Sequence, residues 1–281
     1  MPFFQRDKAS IFYVVEGTGP AILLLHGWAC DSLDWQYQIP FLHSLGYQTI
    51  AFDARGHGVS SVPPEDEPDQ LRAEVTADDA VALLAHLGVA SAVLLSHSAG
   101  ALVASIIAAR SAAVVRANIM IDPEHYREHD GRGGFIAALE ADAHGTVARA
   151  VAQSYAETTP AWLKTWHRYR ILRTPPHVIH QSLRVKSEHE GSVACWDSAK
   201  VWMEERKGPR LVVLRDETNL EKERSLGVGS KDRIVVFGGS GHWMHILEAD
   251  RFNALLREWL GTLGESEAHR ALGFRGSCYF C

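Results

Sequence analysis

Short apolar runs rich in valine, isoleucine and leucine recur along the chain, separated by stretches whose apolar residues fall three and four apart. Residues 11–17 (IFYVVEG), 21–27 (AILLLHG), 47–53 (YQTIAFD), 92–96 (AVLLS), 117–122 (ANIMID), 210–216 (RLVVLRD) and 233–239 (RIVVFGG) read as strands. The later runs show no alternation, which is the pattern of a parallel sheet covered on both faces. The turn GTGP at 17–20 predicts an antiparallel pairing of the first two. Between the strands, 76–88 opens on a capping threonine with early aspartates and closes on Gly88, as a helix does. Residues 98–110 place Leu102, Val103, Ile106 and Ile107 on one helical face, and 249–261 supply a last amphipathic helix. Strands alternating with helices predict an α/β fold built on a mostly parallel, doubly wound sheet.

The rhythm fails between about 123 and 207, where only helix-like stretches occur. An insertion of that size reads as a helical cap over the C-terminal edge of the sheet, where open α/β sheets bind ligands. The expected organisation is one domain over 1–265 carrying this cap, with 266–281 as a flexible tail. A formal charge of −6 argues against nucleic acid or an anionic membrane surface as partner. No apolar run approaches a membrane span and the N-terminus lacks a secretory pattern, so a cytoplasmic protein with a small-molecule substrate is expected. Four cysteines do not make a disulfide framework at this length. The terminal CYFC fits a prenylation box at Cys278, but no polybasic run precedes it, and a plain tail is the preferred reading.

Candidate chemistry begins at 93–105, VLLSHSAGALVAS, an apolar strand that stops on a serine and resumes as a small-residue helix. This is nearly G-x-S-x-G, the sharp turn that exposes a serine in front of a helix N-terminus, except that Ser96 stands where the first glycine belongs. Serines and glycines begin many helices, so the turn alone does not decide. Two further stretches join it. LLLHGW (23–28) ends a strand in a turn whose backbone N–H would point at Ser98; Trp28 and Ala99 are then the two oxyanion donors. GGSGHWMHILE (238–248) puts His242 just after the last strand, placed to reach Ser98, with His245 as a rival better suited to a buried position. The glycine turn DARGHG (53–58) reads as structural.

In this order LLLHGW, DARGHG, SHSAG and GHWMHILE resemble the α/β-hydrolase superfamily over essentially the whole chain to about residue 264. The resemblance implies that Ser98 is a nucleophile, His242 its general base, and a carboxylate the histidine's orienting partner. For the acid it leaves two places. One follows the strand at 210–214, where Thr218 stands at the expected position beside Asp216 and Glu217. The other is Asp122, at the end of the preceding strand, and it is favoured. Trp28, His97, Tyr126, Trp162 and Trp166 are the expected pocket residues, suiting an apolar substrate. The leading expectation is a serine hydrolase of a small ester, thioester or lactone. The turn lacking its first glycine is also similar to the cofactor-free dioxygenases of 3-hydroxy-4-quinolones, in which a His-Asp base deprotonates the substrate. Neither reading calls for a cofactor, and no metal-binding motif stands out.

Overall fold

A computed structural model describes residues 2–127, 133–187 and 191–264; the tail with Cys278 and Cys281 lies outside them. Eight strands form one sheet: β1 (Phe3–Arg6), β2 (Ala9–Glu16), β3 (Ala21–Leu25), β4 (Gln48–Phe52), β5 (Ala92–His97), β6 (Val115–Ile121), β7 (Arg210–Leu214) and β8 (Arg233–Val236). Their order is β1-β2-β4-β3-β5-β6-β7-β8; β2 runs antiparallel to both its neighbours, β1 and β4, and every other neighbouring pair is parallel. The antiparallel start is therefore real, but β2 pairs with β4, Tyr13 opposite Phe52, and not with its successor β3. The GTGP loop is a crossover that leaves a slot for β4, and a turn signal carries no information about strand order. β1 has four residues of mixed polarity, too short to show a period.

The helices are α1 (Gln38–Ser44), α2 (Ala73–His86), α3 (Gly100–Arg110), α4 (Gly133–Ala141), α5 (Ala143–Gln153), α6 (Ala161–Arg173), α7 (Pro176–Ser187), α8 (Trp196–Glu205), α9 (Leu220–Ser225), α10 (Met244–Leu247) and α11 (Ala249–Thr262). Successive strand residues face opposite layers, as the period of two requires. Leu23, Leu25, Ile50 and Leu94 pack with α2 and α3, whereas Ile22, Leu24, Ala51 and Leu95 pack with α1 and α11. Continuous apolar strands are the consequence of these two covered faces. From α4 to α8 the chain makes five helices between β6 and β7. α4, α5, α6 and α7 share a small apolar core of their own, built on Ile136, Leu139, Val147, Ile171 and Ile179. Trp28, from the loop after β3, packs against that core and donates its indole N–H to Ser182 Oγ of α7 at 3.1 Å.

Candidate active site

Ser98 sits between the end of β5 and the start of α3 with φ +53°, a left-handed conformation that a non-glycine residue adopts only where its surroundings force it. Those surroundings are visible. The turn brings Gly100 so close to β3 that a Cβ there would lie 2.3 Å from the Leu25 carbonyl and 2.7 Å from that of His26. Ser96, in place of the first glycine, is fully buried and its hydroxyl donates to the Ile119 carbonyl of β6 at 2.9 Å. A serine is tolerated because its one polar atom is satisfied by the neighbouring strand.

His242 follows β8 in a loop whose Gly239 and Gly241 both have positive φ. Its Nδ1 donates to Asp122 Oδ2 in a short hydrogen bond, leaving Nε2 for the cavity. Asp122 stands directly after β6 with φ +42°, and its N–H donates to the Val213 carbonyl at 2.8 Å. Arg215 approaches the same carboxylate, Nε to Oδ2 at 3.5 Å. The other acid position is not engaged: Asp216 is half-exposed and accepts from the Thr218 N–H, and no contact joins it or Glu217 to His242 among the described residues. Hydrogen bonding from Thr218, its hydroxyl first and its N–H after, holds the Asp216 carboxyl below its ordinary pKa.

His26 orients the turn after β3 by donating Nδ1–H to the Gly27 carbonyl and accepting at Nε2 from the Ala54 N–H at 3.0 Å. Ala54 belongs to the DARGHG turn, where Asp53 accepts from Ser32 and Val59 and packs against Gly58. The structural reading of that turn is therefore apt. Among the described residues neither the Trp28 nor the Ala99 backbone N–H is engaged in a hydrogen bond. Ser98, Ala99, Trp28 and His242 line one cavity of about 140 Å³, walled by Leu102, Phe135, Val151, Leu183 and Trp243. The Ser98 hydroxyl faces this cavity without a hydrogen bond to His242.

Of the expected pocket residues only Trp28 is on the cavity wall. His97 points to the opposite side of β5 and is fully buried. Tyr126 turns its hydroxyl to Glu223 of α9 and packs on Trp196. Trp162 lies on the outer face of α6, 48% exposed, and Trp166 packs with Leu163, Trp243 and Ile246 beneath the Arg170 guanidinium. The wall residues Phe135, Leu183 and Trp243 were not singled out in the sequence; for Trp243, adjacency to His242 was the available signal.

Beneath His242 lies a buried polar layer that the sequence did not announce. Asp34 and Asp31 receive Arg170 of α6: Nη1 donates to Asp34 Oδ1 at 2.5 Å and Nε stands 3.3 Å from Asp31 Oδ2. Burial pushes the Asp34 carboxyl up, but the guanidinium outweighs it and holds the group below its ordinary pKa. Burial also holds His97 well below the usual histidine range and brings His245 down to about 4. Asp34, His97 and His245 form the one group of three possible metal ligands among the described residues, their ligand atoms within 4.8 Å. Ligands on a tetrahedral ion with bonds of about 2.1 Å stand about 3.4 Å apart. His97 Nδ1 and Asp34 Oδ2 are 4.0 Å apart, and the second Asp34 oxygen is taken by Arg170. That spacing is wider than the ligands of one metal ion take, and the facing atoms of the three residues make no hydrogen bond among the described residues.

Known proteins resemble this chain in part of their sequence or in fold. Bifunctional epoxide hydrolase 2 of Sus scrofa is 39% identical over 95 residues, 34% of this chain and 17% of that protein. The Non-heme haloperoxidase of Rhodococcus erythropolis is 42% identical over 102 residues, 36% of this chain and 35% of that protein. The chain thus aligns with only a minor part of these relatives' lengths. Among solved structures, the enol-lactonase from Burkholderia xenovorans LB400 superposes with a TM-score of 0.79 at 17% identity, over 92% of this chain and 100% of that one. A thermophilic esterase from Thermogutta terrifontis gives 0.77 at 22% identity, over 91% and 94%. Both likenesses are of fold. Residues 22–255 match the model of the Alpha/beta hydrolase family, and the chain belongs to that family.

Proposed function

We propose that the protein is a serine hydrolase cleaving a small, largely apolar ester, thioester or lactone through an acyl-enzyme on Ser98. The observation that carries this reading is the positive φ of Ser98 at a strand-to-helix turn, facing a cavity beside two unengaged backbone N–H groups. An elbow strained in this way presents a nucleophile, and undonated N–H groups beside it suit a developing oxyanion. In the proposed sequence the Ser98 oxygen attacks the acyl carbon while His242 Nε2 takes the hydroxyl proton. Trp28 and Ala99 N–H hold the oxyanion, and His242 returns the proton to the leaving alkoxide or thiolate. Water then repeats the sequence on the acyl-enzyme. Asp122, bonded to Nδ1, keeps the tautomer and balances the imidazolium. A cavity of about 140 Å³ with mainly apolar walls supports a short acyl group, and an enol-lactonase and an esterase share the fold.

One observation favours a second reading. The His242–Asp122 pair is formed while Ser98 is not bonded to it, and such a base alone suffices to deprotonate a hydroxyquinolone for attack by oxygen. Catalytic hydrogen bonds tighten when substrate binds, so the hydrolase reading keeps first place. A fluorophosphonate probe, a panel of aryl esters, lactones and hydroxyquinolones with and without oxygen, and Ser98→Ala separate the two. Labelling at Ser98 and loss of at least about 1,000-fold in ester turnover on Ser98→Ala is the expected result. Turnover that survives Ser98→Ala, needs oxygen and disappears in His242→Ala would overturn it.

A further inference from the structure

The buried layer under His242 contains a chain of contacts that the proposed chemistry does not use. It starts in the cap, at Arg170 of α6, and ends on the backbone of the proposed base. His97 Nε2 lies 3.0 Å from the His242 carbonyl oxygen. A carbonyl only accepts, so Nε2 carries the hydrogen and Nδ1 presents a lone pair. That lone pair faces Asp34 Oδ2 at 4.0 Å, one acceptor opposite another. Neither atom has a hydrogen-bond partner among the described residues, so the link between Asp34 and His97 is one of packing and charge. The other Asp34 oxygen is fixed by Arg170 Nη1, and the guanidinium is itself held by the Asp31 carbonyl and carboxylate and stacked on Trp166. All four side chains, Arg170, Asp31, Asp34 and His97, are buried.

We infer that Arg170, Asp34 and His97 are positioning residues: they carry the placement of cap helix α6 to the His242 peptide and so set the imidazole toward Ser98. The inference rests on His242 being the base, which both readings above share. His242 is clamped at three points. Its N–H donates to the Ser154 carbonyl at the end of α5 at 3.2 Å, its ring donates to Asp122, and its carbonyl accepts from His97. The first and third clamps lead into the cap. Removing the third leaves the Ser154 and Asp122 bonds to restrain a loop bearing three positive-φ glycines, Gly238, Gly239 and Gly241. A base displaced by about 1 Å loses on the order of 100-fold in rate, so a partial loosening of this kind should cost about tenfold.

The test compares His97→Leu, which removes the donor, with His97→Gln, whose amide N–H can reach the same carbonyl, and with Asp34→Asn. The substrate is the one that the wild-type protein turns over fastest. Expected for His97→Leu are a kcat about tenfold lower with KM within about twofold, and recovery in His97→Gln to within about threefold of wild type. A second readout needs no turnover: the far-downfield proton of the His242–Asp122 hydrogen bond should persist in His97→Gln and broaden away in His97→Leu. Unchanged kcat and an unchanged downfield signal in His97→Leu would overturn the inference, as would an equal loss in His97→Gln and His97→Leu. If His97→Leu does not fold, Asp34→Asn decides: loss of kcat with the broadened signal supports the chain, and wild-type values on both counts overturn it. Failure of the hydrolase reading shows separately, as absence of Ser98 labelling in the wild-type protein.

Discussion

At Ser98 the chain holds an L side chain at φ +53°, a conformation that costs on the order of 1 to 3 kcal/mol. Nothing about stability requires a serine there, and glycine would adopt the same angle without strain. Two variants that both lack the hydroxyl separate the strain from the chemistry. Ser98→Ala keeps the Cβ and the strain, so its thermal midpoint should match wild type. Ser98→Gly should unfold at higher denaturant than Ser98→Ala by about 1 kcal/mol, after the added chain entropy of glycine is offset against the relieved strain. Both should be inactive toward esters. Equal stability of the two in urea titrations would mean that the turn is not strained, and would remove the main support for Ser98 as a nucleophile. Ser96 makes the complementary point. It looked like a missing glycine, yet its hydroxyl is bonded to the Ile119 carbonyl, so the departure from G-x-S-x-G is accommodated by β6.

Cap and core meet closely where the His242 loop passes the end of α5. A Cβ on Gly241 would stand 2.8 Å from the Ser154 carbonyl and 2.9 Å from the Ala156 nitrogen, both backbone atoms that cannot swing aside. Gly241 also has φ +68°. Gly241→Ala should therefore push the cap from the loop, destabilising the protein by about 2 kcal/mol and lowering kcat more than the fraction folded accounts for. Melting curves alongside kcat at a temperature where both proteins are folded check this; a fall in stability with kcat intact would show that the loop and cap are not coupled. Seven of the eight strands were legible because each is a dense apolar run, and the helices of the core because their apolar faces repeat. Strand order was not, since periodicity is local and β2 finds its partner β4 across an intervening β3. The places of Ser98, His242 and Asp122, the proposed catalytic residues, were legible for a related reason: all three stand at or just past strand ends, which the pattern locates. Trp162 and Trp166 were misjudged because helix spacing says which residues share a face but not which face meets the cavity. Arg170 and Asp34 lie 136 positions apart, and nothing in either neighbourhood names the other.

Across the whole molecule four buried imidazoles are held below their ordinary pKa. Burial is the first cause in each case: it holds His57 and His97 well below the ordinary range, His245 at about 4 and His167 at about 3. In the unfolded chain each returns to about 6.5. Between that value and the folded one the unfolded state binds more protons, so stability rises with pH and is lost as pH falls below about 6.5. Between pH 6.5 and 5.5 the unfolded imidazole goes from half to about nine-tenths protonated, so each such histidine contributes about 1 kcal/mol there and four together about 4 kcal/mol. Asp34, held low by Arg170 against its burial, acts in the same direction only below about pH 4. Urea unfolding at pH 7.5, 6.5 and 5.5 should therefore show little change across the first step and a loss of several kcal/mol across the second. His167 gives an internal control, because it stacks on Tyr155 and Trp166 and makes its ring hydrogen bond only with the Tyr155 hydroxyl. His167→Phe keeps the stacking and removes one titrating group, so it should reduce the loss across the second step by about 1 kcal/mol. A flat profile in the wild-type protein, or a slope unaltered by His167→Phe, would mean that these histidines charge inside the fold. The buried layer under His242 would then be a cationic cluster, and the neutral Nδ1 lone pair of His97 facing Asp34 would have to be replaced by an ion pair.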